Sequence, residues 1–144
     1  MREILFRGKA ANRKAERSYR TKYKNGDWVY GLLTDAENFA GFAEMTNTNG
    51  VSGIEVDKNT VGQFTGLTDK NGTKIFEGDV LCRENVNGYV LYSTEFCKFV
   101  FCWKRYDKHR PDHFKECGLT DYARFRDLEI IGNIHDNPEL LETA

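Results

Sequence analysis

Cys97, Cys102, His109, His113 and Cys117 are the densest gathering of metal-ligating side chains in the sequence, spaced Cys-x4-Cys-x6-His-x3-His-x3-Cys. Thiolates and imidazoles are the donors that tetrahedral zinc takes, and the His-x3-His step has finger-like spacing. The remaining spacing does not fit. A Cys2His2 finger leaves about 12 residues between its second Cys and its first His, whereas six separate Cys102 from His109. Cys97 and Cys102 also fall in a segment with strand character, 96–103, where an odd separation puts two side chains on opposite faces. Free thiols are therefore expected rather than a zinc site, and no cofactor is assigned.

Other chemistry has less to stand on. Cys117 with His113, or Cys97 with His109, pairs a thiol with a base, but no local signature surrounds either cysteine. Acid–base catalysis by carboxylates needs two acids in different environments. Glu77 and Asp79 flank Gly78, and a tight turn in which Asp79 accepts backbone hydrogen bonds is the simpler reading. Neither G-x-x-x-x-G-K-[ST] nor a strand-linked G-x-G-x-x-G occurs, so no phosphate loop is expected. No residue is assigned as catalytic, and the chain is read as a non-enzyme.

Charge points elsewhere. Residues 1–25 hold nine Lys/Arg against two Glu, a net of +7, while the whole chain carries −1. Arg13, Lys14, Arg17, Arg20, Lys22 and Lys24 can contact phosphates, and Tyr19 and Tyr23 can stack on bases. The same basic arm can instead pair with the acidic body of another copy.

These side chains need a scaffold, and the sequence describes hairpins. The chain has 144 residues, enough for one domain or two small lobes. Its ten Phe, seven Tyr and two Trp supply a core despite a modest 40% hydrophobic share. Asn-Gly occurs at 25–26, 49–50, 71–72 and 87–88. Each pair tolerates the positive φ that a type I′ hairpin turn requires. Strands are expected near Ile4 and Phe6, over Trp28, Val29 and Tyr30 in an early hairpin with Tyr19 and Tyr23, and over 63–67, 74–76 and 80–82. Others are expected at 89–92, 96–103 and 128–134. Residues 35–45 suit a short helix or a loop lined by Phe39 and Phe42. Residues 104–127 read as polar and irregular, with a short helix near 121–125. At the end, Asn137 and Pro138 suit the cap and first turn of a helix carrying Leu140 and Leu141.

No run approaches the roughly 20 apolar residues of a membrane-spanning helix. The first residues lack the apolar stretch of about 7–15 residues that marks a secretory signal. A cytoplasmic protein is expected, and its four cysteines are expected to stay reduced.

Several landmarks together resemble the YopX family of phage and prophage proteins. They are Arg2-Glu3-Ile4-Leu5-Phe6-Arg7, Gly26-Asp27-Trp28-Val29-Tyr30-Gly31, and Val61-Gly62-Gln63-Phe64-Thr65-Gly66-Leu67-Thr68-Asp69-Lys70-Asn71-Gly72 with Ile75-Phe76-Glu77-Gly78-Asp79-Val80. The last is Ile130-Ile131-Gly132-Asn133-Ile134-His135-Asp136-Asn137-Pro138-Glu139-Leu140-Leu141. The resemblance implies an SH3-type β-barrel in the C-terminal region and an origin in temperate phages or prophages of Gram-positive bacteria. It carries over no metal motif and no established activity.

The resulting expectation is a mainly β, α+β chain. An N-terminal hairpin region spans 1–58, and an SH3-type barrel with a short terminal helix spans 59–144. Its function is read as that of a phage-encoded accessory protein in the host cytoplasm, a homo-oligomer acting by binding and assembly. A nucleic-acid-binding protein using the basic arm is the alternative. A small metal-dependent enzyme built on the Cys/His segment is the third reading.

Overall fold

The computed structural model describes residues 3–11, 23–104, 114–118 and 127–141. The chain divides into two compact units, Met1–Phe64 and Thr65–Ala144. The first holds β1 (Phe6–Lys9), β2 (Trp28–Asp35), β3 (Ala43–Asn47) and β4 (Ile54–Val56). Strand β5 (Gly62–Thr68) runs out of the first unit and into the second. There follow β6 (Lys74–Phe76), β7 (Asp79–Arg83), β8 (Val86–Ser93), β9 (Lys98–Lys104), β10 (Phe114–Gly118) and β11 (Glu129–Asn133). No α-helix occurs among the described residues; two 3-10 turns, Lys58–Thr60 and Pro138–Leu141, are the only helical elements there.

In the first unit the strand order is β4-β3-β2-β1-β5. Alternation decides its faces. Val29, Ala43, Met45, Ile54 and Val56 turn inward and are buried together with Ala10, as a strand's two-residue period requires. The sheet also curls. Ala10 bridges Val56, with Ala11 N–H donating to the Glu55 carbonyl and Asp57 N–H to the Lys9 carbonyl. One bridge ties β4 to the end of β1 without making a full ladder.

In the second unit the order is β10-β9-β8-β7-β11, and β6 pairs beside the far half of β5. Its core gathers Ile75, Leu81, Val90, Phe101 and Leu128, with Leu67, Phe99, Trp103 and Ile130 packed against them. No barrel closes among the described residues. The chain end forms a 3-10 turn, and Asn137 does not cap it by its side chain as expected. Its Oδ1 accepts instead from Asn133 N–H at 3.3 Å, at the close of β11.

Three hairpin loops share one design. In Asn38–Phe42, Asn47–Val51 and Asp69–Thr73 the first side chain accepts two backbone N–H groups through Oδ1, from the residues two and four positions on. The distances are 3.0 and 3.1 Å for Asn38, 3.0 and 2.8 Å for Asn47, and 2.9 and 2.9 Å for Asp69. The fourth residue is in each case a glycine with φ between 81° and 83°. Its N–H donates to the first residue's carbonyl, and the first N–H donates to the fifth carbonyl. This is a turn followed by one left-handed residue, the three-residue hairpin connection.

The Asn-Gly reading is corrected accordingly. Asn49 and Asn71 keep negative φ, so these turns need only the glycine. Asn87-Gly88 is not a turn at all but lies inside β8. A Cβ on Gly88 would stand 2.5 Å from the Phe101 ring and 2.6 Å from the Cys102 carbonyl oxygen. Close packing, not turn geometry, requires glycine there. The two-residue turn of the β7–β8 hairpin is Glu84-Asn85, with φ 48° and 66°, both positive as type I′ demands.

Three further expectations change. Strand β2 pairs with β1 and β3, so the early hairpin joins Trp28 to Lys9 rather than to the segment before Asn25; residues 19–22 lie outside the described residues. Residues 35–45 finish β2, make the Asn38 loop and enter β3. The stretch 104–127 contains strand β10, whose five residues carry two charges and a glycine and so lack a strand's usual composition. The expected helix near 121–125 lies outside the described residues. Asp79 behaves as expected, its Oδ2 accepting Phe76 N–H at 2.8 Å across the Gly78 turn.

Two stability measurements follow from these loops. Asp69 is buried, and its Oδ2 also accepts Ile130 N–H at 3.1 Å, joining the loop to β11. Asp69→Ala strands three donors and should cost about 3 kcal/mol in denaturant unfolding. Asn71→Ala, exposed in the same loop, should stay within about 0.5 kcal/mol. Glu84→Asn combined with Asn85→Gly relieves left-handed strain and should raise stability by about 1 kcal/mol.

Candidate functional site

The turn that precedes β9 separates the first two cysteines of the Cys/His segment. Strand β9 begins at Lys98, so Cys97 belongs to the β8–β9 loop, not to the strand. It is exposed, has φ 53°, and its Sγ lies 3.6 Å from the Thr94 carbonyl oxygen. Cys102 is buried within β9, 2% exposed. The β9–β10 register sets Cys102 opposite Glu116 and Cys117 opposite Phe101, so these two cysteines do not face one another across the ladder. His109 and His113 lie outside the described residues. Among the described residues no group of three His, Cys, Asp or Glu side chains is placed to hold a metal ion.

Most of the basic arm, Arg13, Lys14, Arg17, Tyr19, Arg20 and Lys22, also lies outside the described residues. Two members can be placed. Tyr23 packs against the first unit's core, and its hydroxyl accepts from Asn47 Nδ2 at 3.3 Å. Its ring is thus used by the fold rather than laid out for stacking. Lys24 is exposed at the start of the turn before β2, its N–H donating to Asp27 Oδ2 at 2.9 Å.

What the fold does bring together is a cationic and aromatic face on β1 and β2. While Val29 and Leu33 turn inward, Trp28, Tyr30 and Leu32 line the outward side of β2. The register sets Lys9 opposite Trp28 and Arg7 opposite Tyr30. The Arg7 guanidinium carbon lies 4.7 Å from the centre of the Trp28 ring, and Lys9 Nζ lies 5.5 Å from it. Both distances are within cation–π range. Arg7 is buried at 6% exposure, which makes it the anchor of the group, whereas Tyr30 and Leu32 stand 40% and 51% exposed. The signal in the sequence was the alternation Trp-x-Tyr-x-Leu beside Arg-x-Lys.

A second aromatic cluster sits at the β8–β9 hairpin. Tyr92 and Phe99 pair across the ladder, edge to face with ring centres 5.3 Å apart, and Lys98 Nζ lies 5.9 Å from the Phe96 ring. Tyr92 and Phe96 are exposed. The loop that carries Phe96 also carries Cys97, which is the exposed one of the cysteines whose side chains are described.

The burial contrast between Cys97 and Cys102 is directly measurable. A disulfide thiol reagent should label Cys97 in the folded chain at a rate near that of a free peptide thiol. Cys102 should label only as the protein unfolds. Peptide mapping after a short exposure distinguishes the two.

Comparison with known proteins gives a family. No curated protein matches the chain. It is similar to the crystal structure of protein EF1440 from Enterococcus faecalis, at 23% identity over 98% of this chain and 99% of that one, with a TM-score of 0.49. The family described as YopX protein matches residues 14–142, almost the whole chain. A match over that much of the sequence settles the family: the chain belongs to the YopX family.

Proposed function

We propose that this YopX-family chain is a phage- or prophage-encoded accessory protein of the host cytoplasm that acts by binding and self-assembly, not by catalysis. The observation that carries the reading is the outward face of β1 and β2. It exposes Tyr30 and Leu32 beside Trp28 and two cations. Aromatic residues and arginine grouped around an apolar centre are the composition of binding hot spots. The +7 of residues 1–25 against the net negative remainder steers two copies together, an effect on encounter that salt weakens, while the apolar contact holds them. In this reading the second unit works as a partly open SH3-type barrel. Its β7-β8-β9 run is a meander, β11 returns beside β7, and the Pro138–Leu141 turn serves as the terminal helix.

A second reading has its own support. Lys9 and Arg7 on Trp28 extend the basic character of residues 13–24, and cations interleaved with aromatics suit a single-stranded nucleic acid. Salt separates the two readings, because phosphate contacts are lost as counterions accumulate while apolar contacts are not.

Native mass spectrometry at low and high ammonium acetate tests both. A metal-free oligomer that survives high salt supports assembly, whereas a monomer at every concentration removes it. Oligonucleotide shed as salt rises supports the second reading. Tyr30→Asp with Leu32→Asp should weaken self-association by at least about tenfold, each side chain being of hot-spot type. Both positions are exposed, so the dilute protein should still fold and unfold cooperatively, with a melting temperature lowered only by the poor strand propensity of Asp.

A further inference from the structure

The four Asn-Gly pairs have one sequence and two structural fates. Asn25, Asn49 and Asn71 are exposed in turns, each followed by a glycine with positive φ (92°, 83° and 81°). Asn87-Gly88 sits inside β8, where Asn87 pairs with Cys82, and Gly88 pairs with both Leu81 and Trp103. The Asn87 Nδ2 also donates to the Leu140 carbonyl at 3.0 Å. An asparagine side-chain amide is an electrophile, and the nitrogen of the following peptide is a nucleophile held close to it. Glycine leaves that approach open because it has no Cβ.

We propose that Asn25, Asn49 and Asn71 are sites of spontaneous covalent modification in the folded protein, and that Asn87 is protected. The glycine nitrogen attacks Cγ of the asparagine. A new C–N bond closes a five-membered succinimide, the Cγ–Nδ2 bond breaks, and the glycine's proton leaves with the nitrogen as ammonia. Water then adds at either ring carbonyl, opening the ring to aspartate or to isoaspartate. Water is the only co-reactant.

Asn49 and Asn71 hold the same place in the same kind of loop. The only hydrogen bond on the attacking nitrogen that must open is its donation to the loop's first carbonyl, 2.9 Å for Gly50 and 3.0 Å for Gly72. For Gly26 it is the bond to the Ala10 carbonyl at 2.8 Å. Gly88 must instead leave a strand paired on both sides. Each event adds one negative charge to a chain that starts at −1, and each isoaspartate lengthens the loop backbone by one carbon. At Asn71 the new carboxylate arises two residues from Asp69, whose Oδ1 accepts the Asn71 N–H.

The test stores the full chain in mildly alkaline buffer made with heavy-oxygen water, beside a sample unfolded in denaturant. Peptide mapping with fragmentation that separates aspartate from isoaspartate follows all four sites. In denaturant the four should label at comparable rates. In the folded chain the three turn asparagines should label, while Asn87 should label at least about a hundredfold more slowly than in denaturant, as opening of a central strand dictates. Labelling of Asn87 as fast as the others would overturn the proposal, and so would three turn asparagines no faster than Asn87. Asn49→Gln with Asn71→Gln, at two exposed positions, should remove those two events and leave the Asn25 rate unchanged.

Discussion

One hydrogen-bond arrangement underlies much of this fold: a side-chain oxygen that accepts the N–H groups two and four residues further along. Asn38, Asn47 and Asp69 each use it to hold a hairpin loop whose fourth residue is glycine. The loop length decides which strand residues face each other, and in a sheet that choice decides everything inward. A slip of one residue after Asn47 would turn Ile54 and Val56 out of the first core. At Asp69 the device does more. Its second oxygen takes Ile130 N–H, and Lys70 N–H reaches the Leu128 carbonyl, so a local loop also positions the last strand.

That device explains what was legible in the sequence and what was not. Asn49-Gly50 and Asn71-Gly72 marked real hairpins, but the informative residues were Asn47 and Asp69, two positions earlier. The Asn38 loop has the same bonds and no Asn-Gly, so the sequence left it open between a loop and a short helix. Asn87-Gly88 carries the dipeptide with Asn85 two positions earlier, and yet it is strand. The turn beside it is made by Glu84-Asn85, in which neither residue is a glycine. Asx followed three residues later by glycine marks all three loops, but Asn59-Gly62 and Asn85-Gly88 share that spacing without forming one, so the side-chain pattern does not suffice alone. The stretch 61–80 was read well because strand, loop and return all obeyed their local rules there. Strand β10 was missed because an edge strand needs little hydrophobic material of its own, being held on one side by β9.

The candidate site follows the same division. Faces that alternation fixes could be read, whereas groups joined through loops could not. Cys97 and Cys102 were expected on opposite sides of one strand. In fact a left-handed residue at 97 puts the first cysteine outside the strand altogether. Tyr23 looked like a stacking ring on a basic arm, but its hydroxyl meets Asn47 and its ring joins the core. The composition of the arm could not show that. Conversely, Lys9 opposite Trp28 required only the β1–β2 register, which no local pattern specifies across the intervening chain.

The cores show what alternation assigns to each face. Among the described residues, six buried hydrophobic side chains form one core cluster and five the other. Such a sheet keeps its inward face for folding. Burying Arg7 carries a desolvation cost, which the Trp28 ring and the aliphatic stem of the side chain help to offset. Tyr30 and Leu32 stay exposed on the same side of β2 as Trp28. Strand alternation thus sets Arg7 against the indole and leaves its neighbours on the outward side, while the core takes the positions between them.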